Sequence, residues 1–555
     1  MPDHVPPTVG DVCAAFLESL GVELAFGVVS VHNIPILDAL NRRQKIRFVP
    51  ARGEAGATNM ADAAARVSGR LGVVVTSTGT GAGNAAGALV EALNAGTPLL
   101  HLTGQVDKPF LDRGFGYLHE VPAQLDMLRA ISKAAFRLTE PAAASAILRE
   151  AATLALTAPQ GPVSIEIPID VQNAKIDLPA RFEPLSVPAH TPDPAALDRL
   201  AARLAQARRP LLWLGGGARE ATAAVARLAK LGIGAVASGA GRGVLPDDHP
   251  LCLGCYGATP PVETLFDTVD FMLVVGSHLR GNETRTYNLR LPLSRGRIDA
   301  DPRADGRSYP TEIFVLGDAR LALEGLAARL ERDKPAIDPA FASDIAAAKR
   351  AAEAAMRQGA SPYGAMIEAV EQQMPRDALW VRDITLAGTG WGGRAPAIRD
   401  PRNAVHAMGG GIGQGLPMAV GAALAGGGRK TVALVGDGGL ALNLGELATA
   451  AESGADIVLL LMNDGGYGVI RNIFDNAYGG RRCFADLKMP EFGMLAESLG
   501  IAHRRVAEIG AFAPAFGAAL QAKGLSIVEI DMRAIGPFAN RGGNFPPPPA
   551  AGIGR

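Results

Sequence analysis

The chain has 555 residues, 48% of them hydrophobic and 20% charged, with a formal net charge of −1. That length exceeds a single compact core and favours three domains of ordinary size. The near-neutral balance argues against nucleic acid or an anionic membrane as the main partner, since both attract a basic excess.

From the N-terminus, MPDHVPPTVGDV places no basic residue before an apolar stretch, so a secretory signal is not expected. Short β-branched runs then alternate with alanine-rich segments of helical period, which is the pattern of α/β domains with parallel sheets flanked by helices. The expected strands include Ile46–Val49, Gly72–Thr76, Pro98–Thr103, Pro210–Leu214, Phe271–Val275, Thr431–Val435 and Ile457–Met462. The last of these is the longest purely apolar run and is too short to cross a bilayer. Prolines 179, 184, 188, 192 and 194 mark one linker; a second runs from Lys334-Pro335 to about Gly359–Pro362. The division expected is an N-terminal domain over 1–178, a central domain over 195–333, a C-terminal domain over 360–540 and a Pro-rich tail over 541–555. The cysteines, Cys13, Cys252, Cys255 and Cys483, are scattered as suits a reducing compartment. Cys252 and Cys255 form a CxxC with no second pair nearby. A cytoplasmic protein is expected.

The densest chemical signal is Val435-Gly436-Asp437-Gly438-Gly439, followed about two dozen residues later by Asn463-Asp464-Gly465-Gly466-Tyr467. Leu440, Leu444, Leu447, Ala448 and Ala451 fit one helical face between them, and Gly454 fits a helix end. The unit is therefore strand–helix–strand, with Asp437 and Asp464 just past the carboxyl ends of parallel strands, where open α/β sheets bind ligands. Two carboxylates meeting there repel unless a cation lies between them. Mg²⁺ is the oxygen-seeking ion that combines one or two carboxylates with phosphates. The glycines admit a diphosphate close to the backbone, and the helix start offers unpaired N–H donors. A Gly-Asp-Gly alone would be an ordinary strand-to-helix turn; the spaced pair is more specific.

Here the chain resembles the thiamine-diphosphate-dependent superfamily of acetolactate synthases, 2-oxo acid decarboxylases and aldehyde lyases, over about residues 8–540. The resemblance implies pyrimidine-binding, central and diphosphate-binding domains. It also implies that Asp437, Asp464 and the Gly466 carbonyl hold Mg²⁺ against the diphosphate, with Gly436, Gly438, Gly439 and Tyr467 around the cofactor. Asp464 stands where the family usually carries Asn, which adds a negative charge. The stretch His406 to Pro417 is similar to the family's pyrimidine-side loop, implying that the Gly410 carbonyl accepts from the cofactor's amino group and that Ile412 is the apolar wedge bending it.

A glutamate at a helix start, such as Glu54, is commonly only a helix-dipole residue. Here it sits in order within a wider match: Phe26-Gly27, Pro35 to Leu40, then Thr76-Ser77-Thr78-Gly79-Thr80-Gly81-Ala82-Gly83-Asn84 and Leu102-Thr103-Gly104-Gln105. By that resemblance Glu54 bonds a ring nitrogen of the aminopyrimidine. The thiazolium carbon is a very weak acid that no ordinary side chain deprotonates well near neutrality. A glutamate on the far pyrimidine nitrogen lets the cofactor act as its own base.

His119, in Phe115 to Val121, falls where acetolactate synthases carry Phe-Gln-Glu and some decarboxylases carry histidines. His32 lies in a loop that faces substrate in relatives. Either could handle a proton near neutrality or be an ordinary loop histidine. In the central block, Leu214-Gly215-Gly216-Gly217 and Val275 to Arg280 resemble segments that bind FAD in some members. Relatives without FAD share the fold, and FAD is not expected. The activity expected is acetolactate-synthase-like, decarboxylation then carboligation of 2-oxo acids. The alternatives are a benzoylformate- or pyruvate-decarboxylase-like enzyme, an aldehyde or 2-hydroxyacyl-CoA lyase, and an oxalyl-CoA decarboxylase-like enzyme. The family pairs the first domain of one subunit with the third of another, so a homodimer or homotetramer is implied.

Overall fold

A computed structural model describes residues 6–539. The expected Pro-rich tail, 541–555, lies outside the described residues. Three sheets, each covered by helices, follow one another along the chain. The first contains β1 (Leu24–Gly27), β2 (Arg47–Pro50), β3 (Gly72–Thr76), β4 (Leu99–Gln105), β5 (Ala134–Arg137) and β6 (Pro162–Pro168), in the order β2-β1-β3-β4-β6-β5. The second contains β7 (Pro210–Leu214), β8 (Gly234–Ala237), β9 (Phe271–Val275), β10 (Arg295–Asp299) and β11 (Ile313–Leu316), in the order β11-β10-β9-β7-β8. The third contains β12 (Leu379–Arg382), β13 (Ala404–His406), β14 (Thr431–Gly436), β15 (Ile457–Asn463), β16 (Ala502–Val506) and β17 (Leu525–Asp531), in the order β13-β12-β14-β15-β17-β16. Counted from its own first strand, the third sheet repeats the 2-1-3-4-6-5 order of the first.

The pairing is parallel, as the alternation of elements predicts: Gly72 stands opposite Leu99 between β3 and β4, and Leu99 opposite Pro162 between β4 and β6. β3, β4, β6, β15 and β17 are buried throughout because helices cover both faces of the sheet, and β4, β6 and β17 bury polar side chains such as His101, Glu166 and Glu529 as well. Local signals set several boundaries. Thr8 and Asp11 form a capping box on helix Val9–Ser19. Asp193 accepts from the Ala195 and Ala196 amides to start helix Pro194–Ala205, with proline in its first turn.

The chain gathers into two compact units. One comprises Met1–Pro188, Val405–Thr431 and Leu442–Ile457, and holds the first sheet. Within it helix Glu54–Ser68 is buried from Gly56 to Val67, and its small residues let it lie close along helix Gly415–Ala425. The other unit comprises Ala189–Ala404, Val432–Ala441 and Val458–Arg555, and contains the central sheet.

One local expectation needs correcting. The stretch from Leu440 to Ala451 is not a single helix: helix Asp437–Leu440 gives way to a tight turn, Ala441–Asn443, before helix Glu446–Ser453. Glycines 438, 439 and 445 disfavour a continuous helix. Leu440 and Leu447 are buried as expected, but Ala451 is exposed. Gly454 does close the second helix, with φ of 68°.

Candidate active site

In the first unit, Glu54 opens helix Glu54–Ser68 directly after β2. Its Oε2 accepts from Asn84 Nδ2 at 3.2 Å. Gly81 makes room for the other oxygen: a Cβ there would stand 3.0 Å from Glu54 Oε1 and 2.7 Å from the Ser77 Cβ. Glu54 and Ser77 therefore line the same small space at the ends of β2 and β3. Ser77 Oγ is 3.2 Å from His119 Nδ1 and 2.6 Å from Ser30 Oγ. His119 adopts φ of 63°, in the left-handed region that few non-glycine residues occupy. Its ring centroid is 5.2 Å from that of His32. His32 is 3% exposed, and its Nδ1 is buried without a hydrogen-bond partner. Burial, with a smaller contribution from His119, pulls the His32 pKa below its usual value, opposed by Asp107, so the ring is held neutral. Glu54, His32 and His119 are thus brought into one neighbourhood, linked by Ser77 and Ser30.

The Gly410 loop lies in the same unit. Glu91 accepts from the Met408 amide and, at 2.6 Å, from the Gly409 amide. Arg66 donates to the His406 carbonyl at 2.7 Å and pairs with both Asp62 and Glu91. These three side chains are at most 2% exposed, so a buried ionic cluster fastens the loop to the helices that carry Glu54 and Asn84. Gly410 itself has φ of 83°, and Ile412 is 41% exposed.

In the second unit, Asp437 begins helix Asp437–Leu440 at the end of β14, and Asp464 follows β15 beside it in the sheet. The Asp437 carboxylate accepts from the Asp464 amide at 3.3 Å and the Gly465 amide at 3.0 Å. Gly438 permits the approach of the second loop: a Cβ there would lie 2.5 Å from the Gly466 carbonyl oxygen and 2.8 Å from Tyr467 Cδ1. Burial and the neighbouring Asp464 carboxylate push Asp437 up to about 6. Burial likewise raises Asp464, against the opposing Arg471. Two crowded carboxylates and a carbonyl oxygen are a hard-oxygen donor set that fits Mg²⁺. Among the described residues no three acidic, His or Cys side chains form a metal cluster. A cation here would therefore take its other oxygens from the main chain and from a phosphate.

Elsewhere, the Gly215 and Gly217 glycines have a packing explanation. Side chains at 215 or 217 would collide with the backbone of Gly276, so the loops after β7 and β9 interlock. Cys252 is buried, and its thiol is pushed up to about 12 by burial. Ser77, Glu91, Arg66 and Arg471 were not singled out by sequence reasoning. Ser77 and Asn84 stood inside the quoted Thr76–Asn84 segment and could have been found there. Arg66, Glu91 and Arg471 sit on helices whose sequence gives no hint of a partner.

The chain matches three family models in order: the thiamine pyrophosphate enzyme N-terminal TPP binding domain over residues 7–127, the central domain over 197–326, and the C-terminal TPP binding domain over 387–530. The protein belongs to the thiamine pyrophosphate enzyme family. Among its relatives, it is 34% identical to a probable 2-ketoarginine decarboxylase of Pseudomonas aeruginosa, with 94% of each chain covered. It is 29% identical to the acetolactate synthase large subunit of Corynebacterium glutamicum, over 90% of this chain and 82% of that one. It is also 29% identical to an acetolactate synthase of Arthrospira platensis, over 93% of each. No helix among the described residues is long and apolar enough to cross a membrane.

Proposed function

We propose that this enzyme uses thiamine diphosphate and Mg²⁺ to decarboxylate a 2-oxo acid, and that its histidine pair favours release of the product as an aldehyde. The observation that carries the reading is the cluster of Glu54, Ser77, His119 and His32 at the ends of β2 and β3. Bound thiamine diphosphate supplies the electron sink for cleavage of the bond between the carbonyl and the carboxylate. Glu54, with Asn84 on Oε2, presents Oε1 to exchange a proton with a pyrimidine ring nitrogen. Ser77 occupies His119 Nδ1, leaving Nε2 as the atom that hands a proton to the acyl fragment after CO₂ leaves. The His32 ring beside it, its charged form disfavoured by burial, adds no competing positive charge, and solvent replaces the proton on His119. The net change is 2-oxo acid carboxylate plus H⁺ to aldehyde plus CO₂.

Asp437, Asp464 and the Gly466 carbonyl are assigned to Mg²⁺, with Gly436, Gly438, Gly439 and Tyr467 around the diphosphate. Gly410 and Ile412 are assigned to the pyrimidine end. The reading includes a cytoplasmic homodimer or homotetramer and the three domains 1–178, 195–333 and 360–540. A second reading, carboligation of the acyl fragment to another 2-oxo acid, is supported by the acetolactate synthases among the relatives. The test incubates the Mg²⁺ holoenzyme with pyruvate, 2-oxobutanoate, benzoylformate and 2-ketoarginine and identifies products by mass spectrometry. Aldehydes from wild type that diminish in His119→Ala support the first reading. Acetolactate-type acids as the main product would replace it with the second.

A further inference from the structure

Resting on the metal assignment above, we infer that Arg471 is a positioning residue that cancels the charge of Asp464, so that the site presents one net carboxylate to the metal–diphosphate pair. Arg471 belongs to helix Gly468–Ala477, which starts immediately after the loop carrying Asp464 and Gly466. Its Nη2 is 2.6 Å from Asp464 Oδ1 and donates to the Asp464 carbonyl at 2.9 Å. Its Nη1 reaches the Gly465 carbonyl at 3.4 Å and Asp486 Oδ1 at 2.8 Å. The two carboxylates are not equivalent partners. The Asp486 side chain is 79% exposed, so water screens that pair, whereas the Arg471 and Asp464 side chains are 12% and 23% exposed. The charge of Arg471 is therefore spent mainly on Asp464.

The electrostatics give this pairing a purpose. Asp437 and Asp464 are crowded together, each raising or opposing the other's charge beside the Gly465–Gly466 loop, where on this reading a divalent cation and a diphosphate bind together. Two uncancelled carboxylates would attract the cation but repel the diphosphate. Pairing one of them with a guanidinium keeps its oxygens as ligands while removing its repulsion. Besides its bonds to Arg471, the loop is held by main-chain bonds: the Tyr467 amide donates to the Ala485 carbonyl at 2.8 Å and the Leu487 amide to the Gly465 carbonyl at 3.1 Å. Arg471→Lys and the Mn²⁺ measurement therefore separate the loss of charge from the loss of the guanidinium's bonds to the Asp464, Gly465 and Ala485 carbonyls.

The test measures thiamine diphosphate affinity by calorimetry at saturating Mg²⁺, and Mn²⁺ affinity alone by electron paramagnetic resonance. The proteins are wild type, Arg471→Gln, Arg471→Lys, Asp464→Asn and the double variant Asp464→Asn/Arg471→Gln. Arg471→Gln should weaken thiamine diphosphate binding by about thirtyfold or more, as for loss of one partner of a hydrogen-bonded charge pair, while Mn²⁺ binds no more weakly. Arg471→Lys should keep most of the affinity. The double variant, which restores the net charge of the wild-type site, should bind thiamine diphosphate within about twofold of wild type, the scatter of uncoupled sites. Unchanged cofactor affinity in Arg471→Gln, weakening of Mn²⁺ and cofactor together, or a double variant that binds as weakly as Arg471→Gln alone would overturn the inference. Asp437→Ala is run alongside: wild-type cofactor affinity in that variant would sink the metal assignment itself, whatever Arg471 does.

Discussion

Arg66→Met tests whether the buried cluster under the Gly410 loop is as consequential as its geometry implies. The substitution keeps most of the side-chain volume but removes the one cation facing Asp62 and Glu91. Both carboxylates are at most 1% exposed on their side chains. Breaking such a buried pair from one side costs about 3–5 kcal/mol, because the remaining charge is left uncompensated. The lost bond to the His406 carbonyl adds about 1 kcal/mol. At roughly 2–4 °C per kcal/mol for a unit of this size, the melting midpoint should fall by roughly 8–24 °C. The pH dependence has a definite sign. Burial already raises the Asp62 pKa, with Arg66 acting against the rise and Glu91 adding to it. Without Arg66 the main opposition to that rise is gone, leaving the Thr97 hydrogen bond. A carboxyl whose folded pKa lies above its unfolded value costs stability once pH exceeds the unfolded value, and the cost grows up to the folded value. The deficit of Arg66→Met relative to wild type should therefore be larger near about pH 8 than near about pH 5. Circular dichroism melts of both proteins at the two pH values make the measurement. A variant melting within about 2 °C of wild type at both would refute the reasoning, since that is less than about 1 kcal/mol.

Glu54→Gln should retain thiamine diphosphate but slow proton–deuterium exchange at its thiazolium carbon, with turnover down by about 10²–10⁴, and quenched-flow NMR reads the exchange directly. Asp437→Ala should keep the far-ultraviolet spectrum of wild type yet lose Mg²⁺-dependent cofactor binding in calorimetry. Mixing inactive Glu54→Gln and Asp437→Ala chains should restore part of the activity if the two residues meet across subunits. No recovery after verified subunit exchange would place the site within one chain.

The fold was legible because a parallel sheet covered on both faces writes its strands as uninterrupted apolar runs. Gly72–Thr76 and Phe271–Val275 are read to the residue, and Thr431–Gly436 and Ile457–Asn463 within one. The places of Asp437 and Glu54 at helix starts were legible because each follows a strand that the sequence already marks. The helix between β14 and β15 was misread because an apolar spacing of helical period does not reveal a break when glycines interrupt it. The ionic partners were illegible for a different reason. Glu91 and Arg66 meet the His406–Gly409 segment across more than three hundred residues of sequence, and no local pattern encodes a contact made only by folding. Arg471 is closer, but an arginine on an amphipathic helix ordinarily reads as a solvated face.

The repeated strand order supplies a reason why the chemistry sits where it does. In the first sheet Glu54 follows the second strand, Ser77 the third and His119 the fourth. In the third sheet Asp437 follows the third strand and Asp464 the fourth. The same 2-1-3-4-6-5 arrangement thus places its functional side chains at the same edge, beyond the carboxyl ends of the central strands, where helix starts and loop amides are free to meet a ligand. What differs is the chemistry loaded onto that edge. The first sheet carries one carboxylate with hydroxyl and imidazole partners, a set suited to moving protons. The third carries two carboxylates with a guanidinium and main-chain oxygens, a set suited to holding a cation. On the proposed reading, one architecture used twice would provide separate seats for a proton-exchanging ring and for a metal-bound phosphate.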